Sequence, residues 1–224
     1  MSTGYHLHAN GIRQHLIHHA GRGPSLLVVP GITSAAITRG FVAERLRYHF
    51  DVHVLDVRGR GLSLAGDLDY SLDAMARDIV AITAAISAEP VSGPGRRAYP
   101  VPWSWFEQSL LVARRGCGIE EMRTFCPTMT DGQLALRAEW LHTCHQDATR
   151  IACDGFHADD IHADLPHIGV PIRLVVAGGV AVVRDEDVAE IRSLAPATQA
   201  VTVEGTDHMI PWDDLDGFIE AVTG

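Results

Sequence analysis

Apolar and polar positions alternate in Tyr5–Asn10 and again in Ile12–His19, and the two segments meet at Asn10-Gly11. Alternation predicts half-buried strands, and Asn-Gly accepts positive φ at both centres of a two-residue turn. An antiparallel pair at a sheet edge is therefore expected. Leu26-Leu27-Val28-Val29 is apolar without alternation and stops at Pro30-Gly31. A run of that kind predicts a strand buried on both faces, in the middle of a mostly parallel sheet. A helical stripe follows over Ala35–His49, through Ile37, Phe41, Val42 and Leu46 to Phe50. Asp51–Val57 predicts the next strand. Leu72, Met75, Ile79, Ile82 and Ile86 then share one face of a helix that Ser71 is placed to cap.

The pattern breaks after that helix. A parallel sheet calls for another apolar strand there, but Ala88-Glu89-Pro90-Val91-Ser92-Gly93-Pro94-Gly95 reads as loop. From Trp103 to about Phe156 the periodicity is helical, with pieces at Trp103–Arg115, Ile119–Phe125 and Asp131–Cys144. This block predicts a helical cap inserted in the sheet. Alternation of strand and helix resumes with Pro171–Ala177, Asp185–Leu194, Ala200–Val203 and Trp212–Val222. The fold class is thus α/β, a mostly parallel sheet flanked by helices. Residues 1–91 and 166–224 are expected to form its core, and residues 92–165 the cap.

Composition narrows the function classes. With 46% hydrophobic and 21% charged residues in 224, the chain is globular. Its net charge of -10 and lack of a basic stripe argue against a nucleic-acid partner. No apolar run approaches the ~20 residues of a membrane span, and no secretory signal is visible. Cys117, Cys126, Cys144 and Cys153 cluster in the middle region and are expected as reduced thiols of a cytoplasmic protein.

Three turns lie at the carboxyl ends of predicted strands, where ligands bind in such sheets: Gly31–Ser34, Arg58–Ser63 and Gly205–Met209. Gly31 lets a substrate approach the backbone, leaving the Ile32 and Thr33 amides to donate to an oxyanion. An ordinary strand-to-helix turn has the same residues. His208, directly after the last strand, is suited to a general base, because imidazole titrates near neutrality. A lone histidine at a strand end also serves structure.

Taken together, these segments resemble the α/β-hydrolase family, and within it the N-formylmaleamate deformylases of nicotinate breakdown. The resemblance is carried by Val29-Pro30-Gly31-Ile32-Thr33-Ser34, by Val54–Ser63, by Val91-Ser92-Gly93-Pro94-Gly95-Arg96-Arg97 and by Gly205-Thr206-Asp207-His208. It implies a Ser–His–Asp triad hydrolysing a small acidic amide or formamide, with no metal and no cofactor. By that resemblance His208 is the base and the Ile32 amide part of the oxyanion hole. A general esterase of the same family is the nearest alternative.

Two parts of that machinery have no counterpart. The nucleophile belongs on a Gly-x-Ser-x-Gly elbow after a strand, and the chain has none. Its nearest imitation, Gly61-Leu62-Ser63-Leu64-Ala65, falls in the preceding turn. The deformylase acid would fall at Glu89 or Pro90, with no strand before it. Asp185 and Asp187 suit a helix start instead. A strand–elbow–helix–strand unit is therefore expected to be missing between about Ser87 and Val91, and with it both Ser and Asp. The 224-residue chain is expected to be inactive.

Other constellations carry less. His142, Cys144 and His145, with Asp147, His157 and His162, could suggest a metal-dependent enzyme, but neighbours on a helix diverge, whereas zinc ligands sit as spaced pairs. Cys144 would need a base and a lowered pKa to be a nucleophile. Arg96, Arg97, Arg114, Arg115 and Arg123 could pair with an acidic substrate, although most are expected at the solvated surface. A non-catalytic binding protein that kept the pocket remains the rival to the hydrolase.

Overall fold

The computed structural model describes residues 2–86, 101–158, 161–179 and 182–224. The described residues form two compact units, residues 2–86 with 101–155, and residues 156–224. No helix among them is long and apolar enough to cross a membrane.

In the first unit, β1 (Ser2–Ala9) and β2 (Ile12–His19) form the expected hairpin, in register from Ala9 opposite Ile12 to Ser2 opposite His19. Asn10 and Gly11 take φ of 49° and 76°, the left-handed values the tight turn demands. β3 (Ser25–Val28) and β4 (Asp51–Leu55) complete a four-stranded sheet of order β1-β2-β4-β3. β4 runs antiparallel to β2 and parallel to β3. The apolar run at Leu26–Val29 departs from expectation. β3 lies at the edge of this sheet, Leu27 alone of its four residues is buried, and Val29 is 40% exposed. No described strand pairs with its second edge.

Between β3 and β4 the expected single helix is split into a 3-10 turn, Ala36–Arg39, and α1 (Gly40–Leu46). The Ala36 amide donates to Asp56 Oδ1 at 2.6 Å, which ties the first turn to the end of β4. α2 (Leu72–Ile86) begins where predicted, with Ser71 Oγ accepting from the Ala74 amide. Met75 and Ile82 of α2 join Leu16, Leu27, Leu55, Val57 and Tyr70 in the core, together with Ala148 and Ala152.

The helical block consists of α3 (Trp103–Arg114), α4 (Ile119–Arg123), α5 (Asp131–Trp140), a 3-10 turn Leu141–Thr143, and α6 (Gln146–Ala158). Thr130 caps α5 reciprocally with Gln133, a Thr-x-x-Gln signature that fixes its start. By contact, α3, α4 and α5 and most of α6 belong to the same compact unit as the four-stranded sheet.

In the second unit, β5 (Arg173–Ala177) and β6 (Gln199–Val203) pair in parallel across α7 (Asp185–Leu194). Half of the four described strand pairings are therefore parallel, and both sheets carry helices. The closing helix expected over Trp212–Val222 is broken into α8 (Ile210–Asp213) and α9 (Leu215–Thr223). Asp214, at φ −144° and ψ 95°, leaves the helical region and accepts from the Gly217 amide at 2.9 Å. A short carboxylate that can cap a new helix competes well with continuing the old one.

Candidate active site

The turn after β3 is built so that its carbonyls are occupied. Ser34 N donates to Gly31 O at 3.0 Å, Arg60 Nε to Ile32 O at 3.2 Å, and Arg137 to both Thr33 O and Thr33 Oγ1, at 3.2 and 3.1 Å. In a trans peptide the C=O of one residue and the N–H of the next point in opposite directions. Pinning Gly31 O and Ile32 O therefore aims the Ile32 and Thr33 amides to the other side. Among the described residues neither amide finds an acceptor. Thr33 and Ser34 are buried and Ile32 half-buried.

Three arginines surround this turn. Arg60 is 2% exposed and donates to three carbonyls, of Ile32, Arg58 and Ala148. Arg137, on α5, is 6% exposed, and its Nε has no partner among the described residues. Arg39 donates to Ser34 Oγ at 3.4 Å. Burial pulls the Arg60 guanidinium down to about 10, and burial followed by the charge of Arg137 pulls Arg39 to about 9. Both remain cationic near neutrality.

The buried carboxylate of this region, Asp56, is taken by other donors: the Ala36 amide, the Leu62 amide at 3.1 Å, and His15 Nδ1 at 2.7 Å. The turn is consequently electropositive, a setting that favours a developing oxyanion or a carboxylate ligand.

The second turn, Arg58–Ser63, is a brace. Gly61 has φ 54°, and a Cβ there would collide with the Asp56 carboxylate. Arg58 forms a buried bidentate pair with Asp78, 2.6 Å at both nitrogens, which ties the turn to α2. Ser63 Oγ donates to Asp56 O at 2.5 Å and accepts from the His15 main-chain amide at 2.7 Å. Ser63, His15 and Asp56 are thus neighbours without forming a relay, because the hydroxyl meets the histidine backbone and not its ring. Ser63 is structural.

In the second unit, Gly205 turns the chain at φ 72° after β6. Thr206 is buried, its hydroxyl donating to Val203 O at 2.8 Å and its carbonyl accepting from Gly179 N at 2.7 Å. His208 follows in the exposed turn that leads into α8. Ile32 and His208 therefore belong to different units. Asp185 and Asp187 lie in the first turn of α7, where Asp187 accepts from the Arg184 amide at 2.8 Å, so both act as helix-start acids. Glu89, Pro90 and the Ser87–Val91 junction lie outside the described residues, as do Arg96 and Arg97.

The rival constellations do not assemble. The Cys144 thiol is fully buried and pushed up to about 11 by burial, the reverse of an activated nucleophile. His145 stacks on Tyr70, centroids 5.5 Å apart, with its amide bonded to Gly59 O. The histidines of the helical block do not bring three ligand atoms together among the described residues. Arg115 pairs with Glu121, Arg123 with Asp131, and Arg114 with Gln146, all at the surface. The arginines that matter, Arg39, Arg60 and Arg137, were not among the sequence candidates. Arg137 carried one readable signal: it sits between Leu134 and Leu141 at helical spacing, on the buried stripe of its helix.

No protein-family model matches the chain. The N-formylmaleamate deformylase of Pseudomonas putida strain KT2440 is 48% identical to it, with 99% of this chain and 96% of that protein covered. The alignment runs over 258 positions against 224 residues, so at least 34 positions of that relative have no counterpart here. A crystal structure of the N-formylmaleamic acid deformylase of a second Pseudomonas putida strain, in a serine-to-alanine form, superposes with a TM-score of 0.93 at 54% identity. It covers 99% of this chain and 100% of its own. The E-2-(acetamidomethylene)succinate hydrolase (TM-score 0.78, 17% identity, 100% and 98% covered) and the enol-lactonase of Burkholderia xenovorans LB400 (0.73, 15%, 97% and 98%) share the fold. The chain belongs to the α/β-hydrolase family, in the branch of the N-formylmaleamate deformylases.

Proposed function

We propose that this protein, in a form that carries the nucleophile elbow, hydrolyses a small acidic amide or formamide of the N-formylmaleamate type. The observation that carries this is 48% identity to a deformylase over nearly the whole chain. The electropositive turn supports it, since an acidic substrate needs a cationic partner. In this reading the elbow serine attacks the formyl carbon and His208 takes its proton. The Ile32 amide stabilises the oxyanion, and His208 returns the proton to the departing amide nitrogen as the C–N bond breaks. Water then releases formate from the acylated serine. Arg39 and Arg137 hold the substrate carboxylate. Residues 1–91 and 166–224 serve as the hydrolase core and residues 92–165 as the cap, in a cytoplasmic protein.

The at least 34 unmatched positions are of the size of a βαβ unit, ~30 residues or more. We place them between about Ser87 and Val91, so that the 224-residue chain lacks Ser and Asp. The test is formate release from N-formylmaleamate: none from this chain, and turnover once the strand–elbow–helix–strand segment of the Pseudomonas relative is inserted. Turnover by the chain without it would overturn the placement of the nucleophile. A non-catalytic binding role has one observation in its favour, the retained cationic turn in a chain without an elbow. It predicts a thermal shift with maleamate even though no formate appears.

A further inference from the structure

At the amino end of β4, on the sheet that carries the cationic turn at its other end, three side chains converge that the hydrolytic reading does not use. His18 on β2 stands directly opposite His53 on β4, and Asp51 lies two residues before His53 on the same strand face. The two imidazoles stack with centroids 4.5 Å apart and planes 7° from parallel. His18 Nε2 is 2.8 Å from Asp51 Oδ1, and His53 Nε2 is 3.4 Å from Asp51 Oδ2. One ligand atom from each of the three residues lies within 4.8 Å of the other two.

We propose that His18, Asp51 and His53 form a binding site for a first-row divalent transition-metal ion, zinc being the best match to the donor set. Two imidazole nitrogens and one carboxylate oxygen select such an ion over magnesium or calcium, which favour oxygen ligands. Ligand atoms ~2.0–2.2 Å from a tetrahedral zinc are about 3.3–3.5 Å apart. The pair at 3.4 Å already stands at that spacing; to admit the ion the pair at 2.8 Å opens by about 0.5–0.7 Å, and the stacked imidazoles tilt so that both Nε2 lone pairs converge on it.

The supporting contacts are in place. Tyr5 Oη is hydrogen-bonded to His53 Nδ1 at 2.9 Å, which fixes the ring and leaves Nε2 facing Asp51. The Gly21 amide donates to Asp51 Oδ1 at 3.0 Å. Partners of this kind orient ligands in established metal sites. Side-chain exposures of 32% for His18 and 29% for Asp51 leave a path for the ion and for water in the remaining coordination position. The bound ion would clamp β2 to β4 at the end remote from the proposed chemistry, so the proposal stands or falls independently of the hydrolase reading.

The test is calorimetric titration of the EDTA-treated protein with zinc chloride, paired with metal content per chain after gel filtration. One zinc per chain is expected. Replacement of His18 by Asn, Asp51 by Asn or His53 by Gln is expected to weaken binding at least about tenfold, and Tyr5→Phe by less. His18→Asn, at a partly exposed position, keeps the test standing if the His53 variant does not fold. Cobalt in place of zinc is expected to give visible absorption lost in the same variants. Absence of stoichiometric zinc, binding unchanged in the His18 and Asp51 variants, or binding abolished by replacing the exposed His6 and His8 would each overturn the proposal.

Discussion

The two ends of β4 carry the same pair of residue types in opposite circumstances. Asp56, just past the carboxyl end, is 2% exposed and meets His15 Nδ1 and two backbone amides, so its oxygens are fully engaged inside the protein. Asp51, at the amino end, meets His18 and the Gly21 amide from a partly exposed position. The first pair is a fastening. It joins the 3-10 turn after β3, the glycine turn after β4 and strand β2 at one carboxylate, and in doing so shapes the cationic turn above it. The second has room for a third party. An aspartate–histidine contact says little about role until the remaining donors and acceptors around it are known.

The contrast can be broken most sharply by removing each carboxylate. Asp56→Ala leaves a buried imidazole and two amides without an acceptor and is expected to cost about 3–5 kcal/mol in urea denaturation. Gly61→Ala forces a side chain into a left-handed φ and against Asp56, and about 1–3 kcal/mol is expected from the backbone strain alone. Asp51→Ala in metal-free buffer is expected to cost about 0–1 kcal/mol, as exposed pairs do. Equal losses at Asp51 and Asp56 would erase the distinction between the two ends.

Two finer measurements sharpen it. In an elbow-bearing form, Arg137→Met is expected to raise KM for an acidic substrate more than it lowers kcat. A neutral ester is expected to show no such split. Cys144, packed near Arg60 and Asp56, is held to about 11 by burial. Alkylation requires the thiolate, so at pH 8 its fraction is small, and reactivity should rise only as pH climbs toward that value. Mass-spectrometric labelling is expected to find Cys144 unmodified in the folded protein, and rapid modification at pH 8 would show that the carboxyl end of the sheet is open.

How much of this was legible differs by element. The Asn10-Gly11 hairpin, β4, α2 with its Ser71 cap, α7 and the β5–β6 pair follow from local signals of turn chemistry and periodicity. The split of the closing helix at Asp214 was missed because stripe periodicity continues through it while the capping competition is decided by one side chain. The burial of β3 is illegible for a different reason: an apolar run reports what a strand is suited to, whereas its cover depends on partners elsewhere in the chain. Among the site residues, the sequence marked the turn at Ile32 and the histidine at 208 but passed over Arg39, Arg60 and Arg137.

By itself the sequence determined the α/β class, the positions of the strand-end turns, the resemblance to the deformylases and the lack of a Gly-x-Ser-x-Gly elbow, because each is written in neighbouring residues. Tertiary structure alone decided which arginines face the turn at Ile32, that Ser63 braces the chain instead of attacking, and that His18, Asp51 and His53 meet. Most of these contacts join residues tens of positions apart in the chain, and only strand register and helix packing bring them within hydrogen-bonding distance.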